Sequence, residues 1–220
     1  PKGPESLPKL LDLLEQVKAL KDSSPKADRP RSKKQLAQTH RGLVVAFISA
    51  KGGVGTSSAC ANVAEEVAKL APDEKVVVVD LVLPIGSIAS IAGYDGEVNL
   101  YQIAALPEGE VTPDYLQTTL PMFEQWHFQL LPGCPDPSAA QELDVTRIPD
   151  LLEALKQAYD FVFVDIGRAL SRISLPFILK ADQVVFVLGP DEATVSLTQK
   201  TLDFLRNLGL LNVQIYMLLN

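Results

Sequence analysis

Six short apolar runs decide what this chain can fold into: Leu43–Ile48, Val76–Val79, Phe128–Leu131, Phe161–Val164, Val184–Leu188 and Val213–Leu219. They are rich in Val, Ile, Leu and Phe, and they are continuous rather than alternating. Strands of that kind are buried on both faces. Helix-period segments lie between several of them, at 57–70, 147–158 and 191–208. The stretch 84–127 is less regular, with helix-like pieces near 87–92, 98–105 and 113–119. Strands that alternate with helices predict a doubly wound α/β fold, a mostly parallel sheet with helices on both faces. Ligands of such folds sit beyond the carboxyl ends of the strands. The residues directly after each apolar run are therefore the ones to search.

The chain before residue 42 has a different texture. Residues 5–20 place Leu7, Leu10, Leu11, Leu14 and Val17 on one stripe, which predicts an amphipathic helix over 1–20. Residues 21–41 hold Pro25, Pro30, Ser23 and Ser24 with seven Lys/Arg against two Asp, and read as a basic flexible linker. The whole chain of 220 residues carries a net charge of −7. The linker contributes +5 and residues 1–20 contribute zero, so the domain at 42–220 carries −12. A domain that acidic is a poor general nucleic-acid binder, because phosphate contacts need clustered cations. Any nucleic-acid or membrane contact is expected only in 21–41.

Two cysteines, Cys60 and Cys134, make no disulfide framework and no metal-binding spacing. They point to a reducing compartment, and the expected location is the cytoplasm. No apolar run approaches the ~20 residues that span a bilayer. The first residues, Pro1-Lys2-Gly3-Pro4, lack a Met and any signal-peptide pattern, so the sequence is expected to be part of a longer protein. His40 and His127 show no partner pattern, and Trp126 and Phe128 read as core or interface.

The first apolar run is followed by Ser49-Ala50-Lys51-Gly52-Gly53-Val54-Gly55-Thr56-Ser57-Ser58, which runs into a helix. Glycines let the backbone turn tightly enough for successive N–H groups to point at one anion. The helix N-terminus adds its partial positive charge. Ser57, in the first turn, is placed to ligand Mg²⁺. Two later runs end in an aspartate, Asp80 and Asp165, and carboxylates there can hold Mg²⁺ and its waters. Together these features predict a nucleotide site.

Lys51-Gly52-Gly53-Val54-Gly55 resembles the deviant Walker A loop of the MinD/ParA class of P-loop ATPases, over roughly 42–220. Within that class the chain most resembles the CpaE/TadZ branch, associated with pilus assembly and polar localisation. The stretches Val79–Ser87, Leu131–Pro137 and Tyr159–Asp165 carry the closer match. The resemblance implies ATP and Mg²⁺ as cofactors and a homodimer formed around nucleotide. Lys51 would reach the partner's phosphates in trans. Gly52, Gly53, Val54, Gly55, Thr56, Ser57 and Ser58 would cradle ATP. Ser57, Asp80 and Asp165 would hold the metal, and Asn220 falls where the class often places an adenine contact. The helix at 5–20 resembles the end of a receiver-like domain that precedes the ATPase in this branch; an independent helix docked on the domain is the alternative. Some relatives hold an iron–sulfur cluster between subunits. That chemistry needs two thiolates per subunit near the interface, and Cys60, on the helix after the loop, cannot supply the second beside Cys134.

Three departures qualify the resemblance. The class's second loop lysine is Thr56 here. Loss of a hydrogen bond to a charged group, about 1.5–3 kcal/mol, weakens ATP binding by roughly tenfold to a hundredfold. The class's second aspartate after the second strand is Val82, which can neither accept a proton nor orient water. The proline common after the later aspartate is absent from Asp165-Ile166-Gly167-Arg168. Hydrolysis is therefore expected to be slow or lost while binding survives. Arg168, whose planar guanidinium suits phosphate oxygens, is the candidate replacement cation, with Arg172 second. The expected function is an ATP-binding, dimerising switch or scaffold acting with pilus or secretion machinery, cytoplasmic or peripheral at the pole or inner membrane face. The alternatives are a working MinD/ParA-type ATPase in positioning, or one in DNA partition.

Overall fold

The computed structural model describes residues 42–220, apart from 124, 169, 208 and 210–212. The helix read at 1–20 and the linker read at 21–41 lie outside the described residues.

Among the described residues seven strands form one sheet: β1 (Leu43–Ile48), β2 (Val76–Asp80), β3 (Met122–Phe123), β4 (Trp126–Leu131), β5 (Phe161–Gly167), β6 (Gln183–Leu188) and β7 (Gln214–Leu219). Their order is β3-β4-β2-β5-β1-β6-β7. All neighbours are parallel except β3 and β4. The helices are α1 (Thr56–Leu70), α2 (Ile88–Ala92), α3 (Leu100–Ala104), α4 (Pro113–Thr119), α5 (Pro137–Glu142), α6 (Ile148–Ala158), α7 (Ser174–Lys180) and α8 (Glu192–Asn207). The predicted doubly wound α/β sheet is the fold observed.

The centre of the sheet obeys the rule for strands covered on both faces. Val44–Ile48 and Val76–Asp80 are wholly buried. The amphipathic α6 lays Ile148, Leu151, Leu152 and Leu155 into the same core. Several helices begin where the sequence supplies a capping acceptor: Asn99 for α3, Thr112 for α4 and Asp136 for α5.

Three features differ from the sequence reading. The run at 213–219 becomes β7, an edge strand whose Met217 and Leu219 are exposed, so it is not buried on both faces. The two-residue β3 pairs antiparallel with β4 and has no apolar run of its own. Helices α5 and α7 were not expected. Both are short and carry a proline near their start, and α5 has little apolar patterning, whereas α7 buries Phe177 and Ile178 within a nearly continuous apolar run.

His127 also differs, because it has a partner. Its backbone N–H donates to Glu65 Oε2 at 2.7 Å and its Nδ1 lies 2.8 Å from Glu65 Oε1. This contact ties α1 to β4 at the end of the sheet away from the phosphate loop. Glu65 is nearly buried, and its pKa is lowered by its hydrogen bonds to His127 and Lys69 against the upward push of burial.

Candidate nucleotide site

The loop after β1 takes the shape its glycines allow. Gly53 and Gly55 have φ of 80° and 84°, in the left-handed region that favours glycine. Gly55 is the N-cap of α1, and no side chain caps that helix end. The first-turn N–H groups of a 15-residue helix with no acidic residue in that turn therefore face the cleft. The cleft has a volume of about 490 Å³ and is lined by Gly52, Gly53, Gly55, Thr56, Ser57 and Ser58 on one side, with Val82, Ser87 and Arg168 opposite.

Each predicted residue has a definite place. Thr56 is the first residue of α1 and is buried, whereas Ser58 is exposed. Val54 points inward, 3.5 Å from the position a Cβ would take on Gly189. Its carbonyl accepts from Asn220 Nδ2 at 2.9 Å. Asn220 also donates its backbone N–H to Leu188. Asn220 thus braces the phosphate loop from the end of β7, a different contact from the one the resemblance implies. Lys51 extends the other way, to Asp191 at the start of α8, with 3.1 Å between Nζ and Oδ1. Arg168 follows β5 and is exposed, and its Cδ lies 3.5 Å from the Cβ position of Gly52, so its stem lies along the loop. Arg172 is exposed and does not line the cleft.

Asp80 and Asp165 sit side by side, paired in register on β2 and β5, and both are fully buried. Burial raises both carboxyl groups, and it pushes Asp165 to about 7, with the charge of Asp80 adding to the shift. Their hydrogen bonding differs. Asp80 accepts from the backbone N–H groups of Val82, Ser87 and Ile88 at 3.0, 2.7 and 2.8 Å. Asp165 Oδ1 accepts from Gly167 N at 2.9 Å, and among the described residues its buried Oδ2 has no well-formed hydrogen bond, the Ser57 hydroxyl being the side chain near enough to act on the carboxyl. A buried carboxylate oxygen without a well-formed hydrogen bond, beside a second buried acid and a loop hydroxyl, suits a hard cation. Among the described residues no cluster of three His, Cys, Asp or Glu could hold a metal alone.

Cys60 and Cys134 are both buried. Burial, aided by the two aspartates, raises Cys60 strongly; burial with Asp80 and Asp136 pushes Cys134 to about 11. Burial of this kind favours the protonated thiol over the reactive thiolate.

A family model described as an AAA domain matches residues 42–209. The chain belongs to the AAA domain family. A curated relative of this member, the septum site-determining protein MinD of Thermotoga maritima, is 22% identical over 179 residues, which is 81% of this chain and 64% of that protein. The chain thus spans less than two thirds of that relative's length. Among solved structures, a ParA family ATPase from Chlorobium tepidum superposes with a TM-score of 0.69, at 23% identity, covering 82% of this chain and 74% of the other. MinD of Pyrococcus horikoshii, complexed with Mg-ADP, gives 0.65 at 23% identity, with 79% and 68% covered. The family member described here therefore has the MinD/ParA P-loop fold.

Proposed function

We propose that this chain binds ATP with Mg²⁺ and dimerises around it as a switch or scaffold of the CpaE/TadZ type, with hydrolysis slow or lost. The observation that carries this reading is the phosphate-loop cleft itself. The uncapped N-terminus of α1 and the Ser57 hydroxyl line it, the buried Asp165 carboxyl lies close behind Ser57, and Val82, which the resemblance aligns with a water-orienting acid, lines it too.

The chain's own groups divide the work. Backbone N–H groups of Gly52–Ser58 hold the phosphates in a cradle that needs no net positive field. Ser57 and Asp165 fit Mg²⁺, which neutralises phosphate charge when bound. Arg168 supplies the cation that Thr56 does not. Val82 packs against Gly167, with Cγ2 3.0 Å from the Cβ position there, and presents methyl groups where a proton acceptor is needed. Lys51 leaves Asp191 for the partner's phosphates, so the dimer is the state in which the bound charge is best compensated. Pilus or secretion proteins then read the dimer in the cytoplasm or at the inner membrane face. Among the described residues no helix is long and apolar enough to cross a membrane, so membrane contact is indirect or through 21–41. An upstream receiver-like domain completes the arrangement.

The test is an ATP titration with and without Mg²⁺, read alongside molar mass by light scattering. Mg²⁺-dependent binding with a doubling of mass is the expected result, and monomer at saturating ATP would refute the switch.

The matched curated relatives favour a second reading, since they are named for septum-site determination. On that reading the chain is a working ATPase in positioning. Phosphate release that Lys51→Ala abolishes would establish it. A DNA-partition role predicts a gel shift that persists without residues 21–41.

A further inference from the structure

The loop between β2 and α2 contains a contradiction of local rules. Ser87 is the N-cap residue of α2, where serine ordinarily turns its hydroxyl back onto the helix N–H groups. It does not do so here. Asp80 serves that end instead, by accepting from the backbone of Ser87 and Ile88 through one oxygen and from Val82 through the other. Both oxygens of Asp80 are thereby committed to the loop. The Ser87 hydroxyl, released from capping, points into the cleft and donates to the Ser57 hydroxyl at 2.8 Å.

Resting on the nucleotide reading above, we infer that Ser87 is a cation-positioning residue, and that Asp80 acts as the pin of its loop rather than as a partner of the metal. The cation's protein groups are then Ser57, Ser87 and the Asp165 carboxylate. The two hydroxyls stand within one hydrogen bond of each other on opposite walls. An oxygen-seeking ion between the phosphates and Asp165 finds both, directly or through one water. The loop that carries Ser87 is itself held in place. The Cα atoms of Gly86 and Gly133 are so near that a Cβ on either would lie 2.8 Å from the other, and Gly86 donates to the Cys134 carbonyl at 3.0 Å. The loop is held from behind by β4's connection and from below by Asp80, so Ser87 has little freedom to turn away. Residues that orient a metal ligand typically alter metal affinity 10–100-fold when removed.

The experiment measures ATP affinity of the full chain with Mg²⁺ and with EDTA, for wild type, Ser87→Ala and Ser87→Thr. The readout is the ratio of the two affinities. Ser87→Ala should shrink the ratio about tenfold, and Ser87→Thr, which keeps the hydroxyl, should restore most of it. Mn²⁺ bound per chain, followed by electron paramagnetic resonance, should fall in parallel. Asp80→Asn should lower the thermal midpoint, the mark of a lost pin. A Ser87→Ala ratio equal to wild type overturns the inference, as does Ser87→Thr behaving like Ser87→Ala. Wild type that binds no ATP overturns the nucleotide reading itself, and this inference with it.

Discussion

The ammonium of Lys51 and the carboxylate of Asp191 lie 3.1 Å apart, on the loops that follow the neighbouring strands β1 and β6. Both side chains are about half exposed, so the pair is a surface ion pair that solvent screens. Asp191 is fixed independently of Lys51: it accepts from Thr194 N at 3.0 Å and from the Thr194 hydroxyl at 2.6 Å. The lysine is thus the mobile partner. Asp191→Asn keeps an oxygen for the helix cap and removes the charge that holds Lys51. ATP-dependent dimerisation should then need less nucleotide, by a small factor, since a screened surface pair holds Lys51 weakly. Light scattering across an ATP series measures this. A dimer weaker than wild type would show that Asp191 supports Lys51 in the dimer instead.

The same carboxylate gives a pH dependence. Hydrogen bonds from Thr194, and then Lys51, depress Asp191 to about 2. A depressed folded-state value means that its contribution is present above the ordinary carboxylate value, about 3.9. It is lost as pH falls through about 2. The difference in urea midpoint between wild type and Asp191→Asn should therefore be constant from pH 5 to 7 and close below pH 4. A difference that persists at pH 2 would contradict the assignment.

Arg168 is the cation whose stem touches the phosphate loop, against Gly52. Removing a charge-assisted hydrogen bond to phosphate costs about 1.5–3 kcal/mol, so Arg168→Ala should weaken ATP at least tenfold. Arg168→Lys should recover part of the loss, since a point charge lacks the planar fork. Unchanged affinity in Arg168→Ala would remove Arg168 from the site. Arg172→Ala, away from the cleft, should leave affinity near wild type.

Gly133 predicts a backbone effect with no chemistry involved. A Cβ there would lie 2.8 Å from Gly86 Cα and 3.2 Å from Asp80 Cγ. Neither neighbour is the flexible end of a side chain. Gly133→Ala should destabilise by about 1–3 kcal/mol through overpacking, seen as a lower urea midpoint.

The strands and the loop were legible because their signals are local. A continuous Val/Ile/Phe run marks a strand wherever it lies, and six such runs became β1, β2, β4, β5, β6 and β7. What a run cannot carry is its place in the sheet. The residues of β7 resemble those of β6, yet β7 is an edge because no further described strand pairs with it. The site divides the same way. Gly53, Gly55, Ser57 and Asp165 are recognisable from neighbours in sequence. The contacts that were missed join distant positions: Lys51 to Asp191 across 140 residues, Glu65 to His127 across 62, and Ser87 to Ser57 across 30. Ser87 alone left a trace, as a serine before a helix-like segment, but that pattern predicts a cap rather than a hydroxyl aimed at a cleft.

Gln183 opens β6 with its side chain wholly buried, and neither its amide nitrogen nor its oxygen has a hydrogen-bond partner. A buried amide without partners costs about 1–3 kcal/mol by mutational measures. Its neighbours in register are Val45 on β1 and Gln214 on β7. β-Branched and other apolar side chains fit a central strand of that kind. Gln183→Leu, similar in length, removes both orphaned atoms and keeps most of the volume. It should raise stability by about 1–2 kcal/mol, measured as a higher urea midpoint with an unchanged slope, and leave ATP affinity unaltered because Gln183 lies at the far end of β6 from the loop. Gln183→Ala, which removes the same polar atoms but opens a cavity, should gain less or lose stability. If Gln183→Leu destabilises the protein, the amide is satisfied in solution, and a buried water in the sheet is the simplest partner.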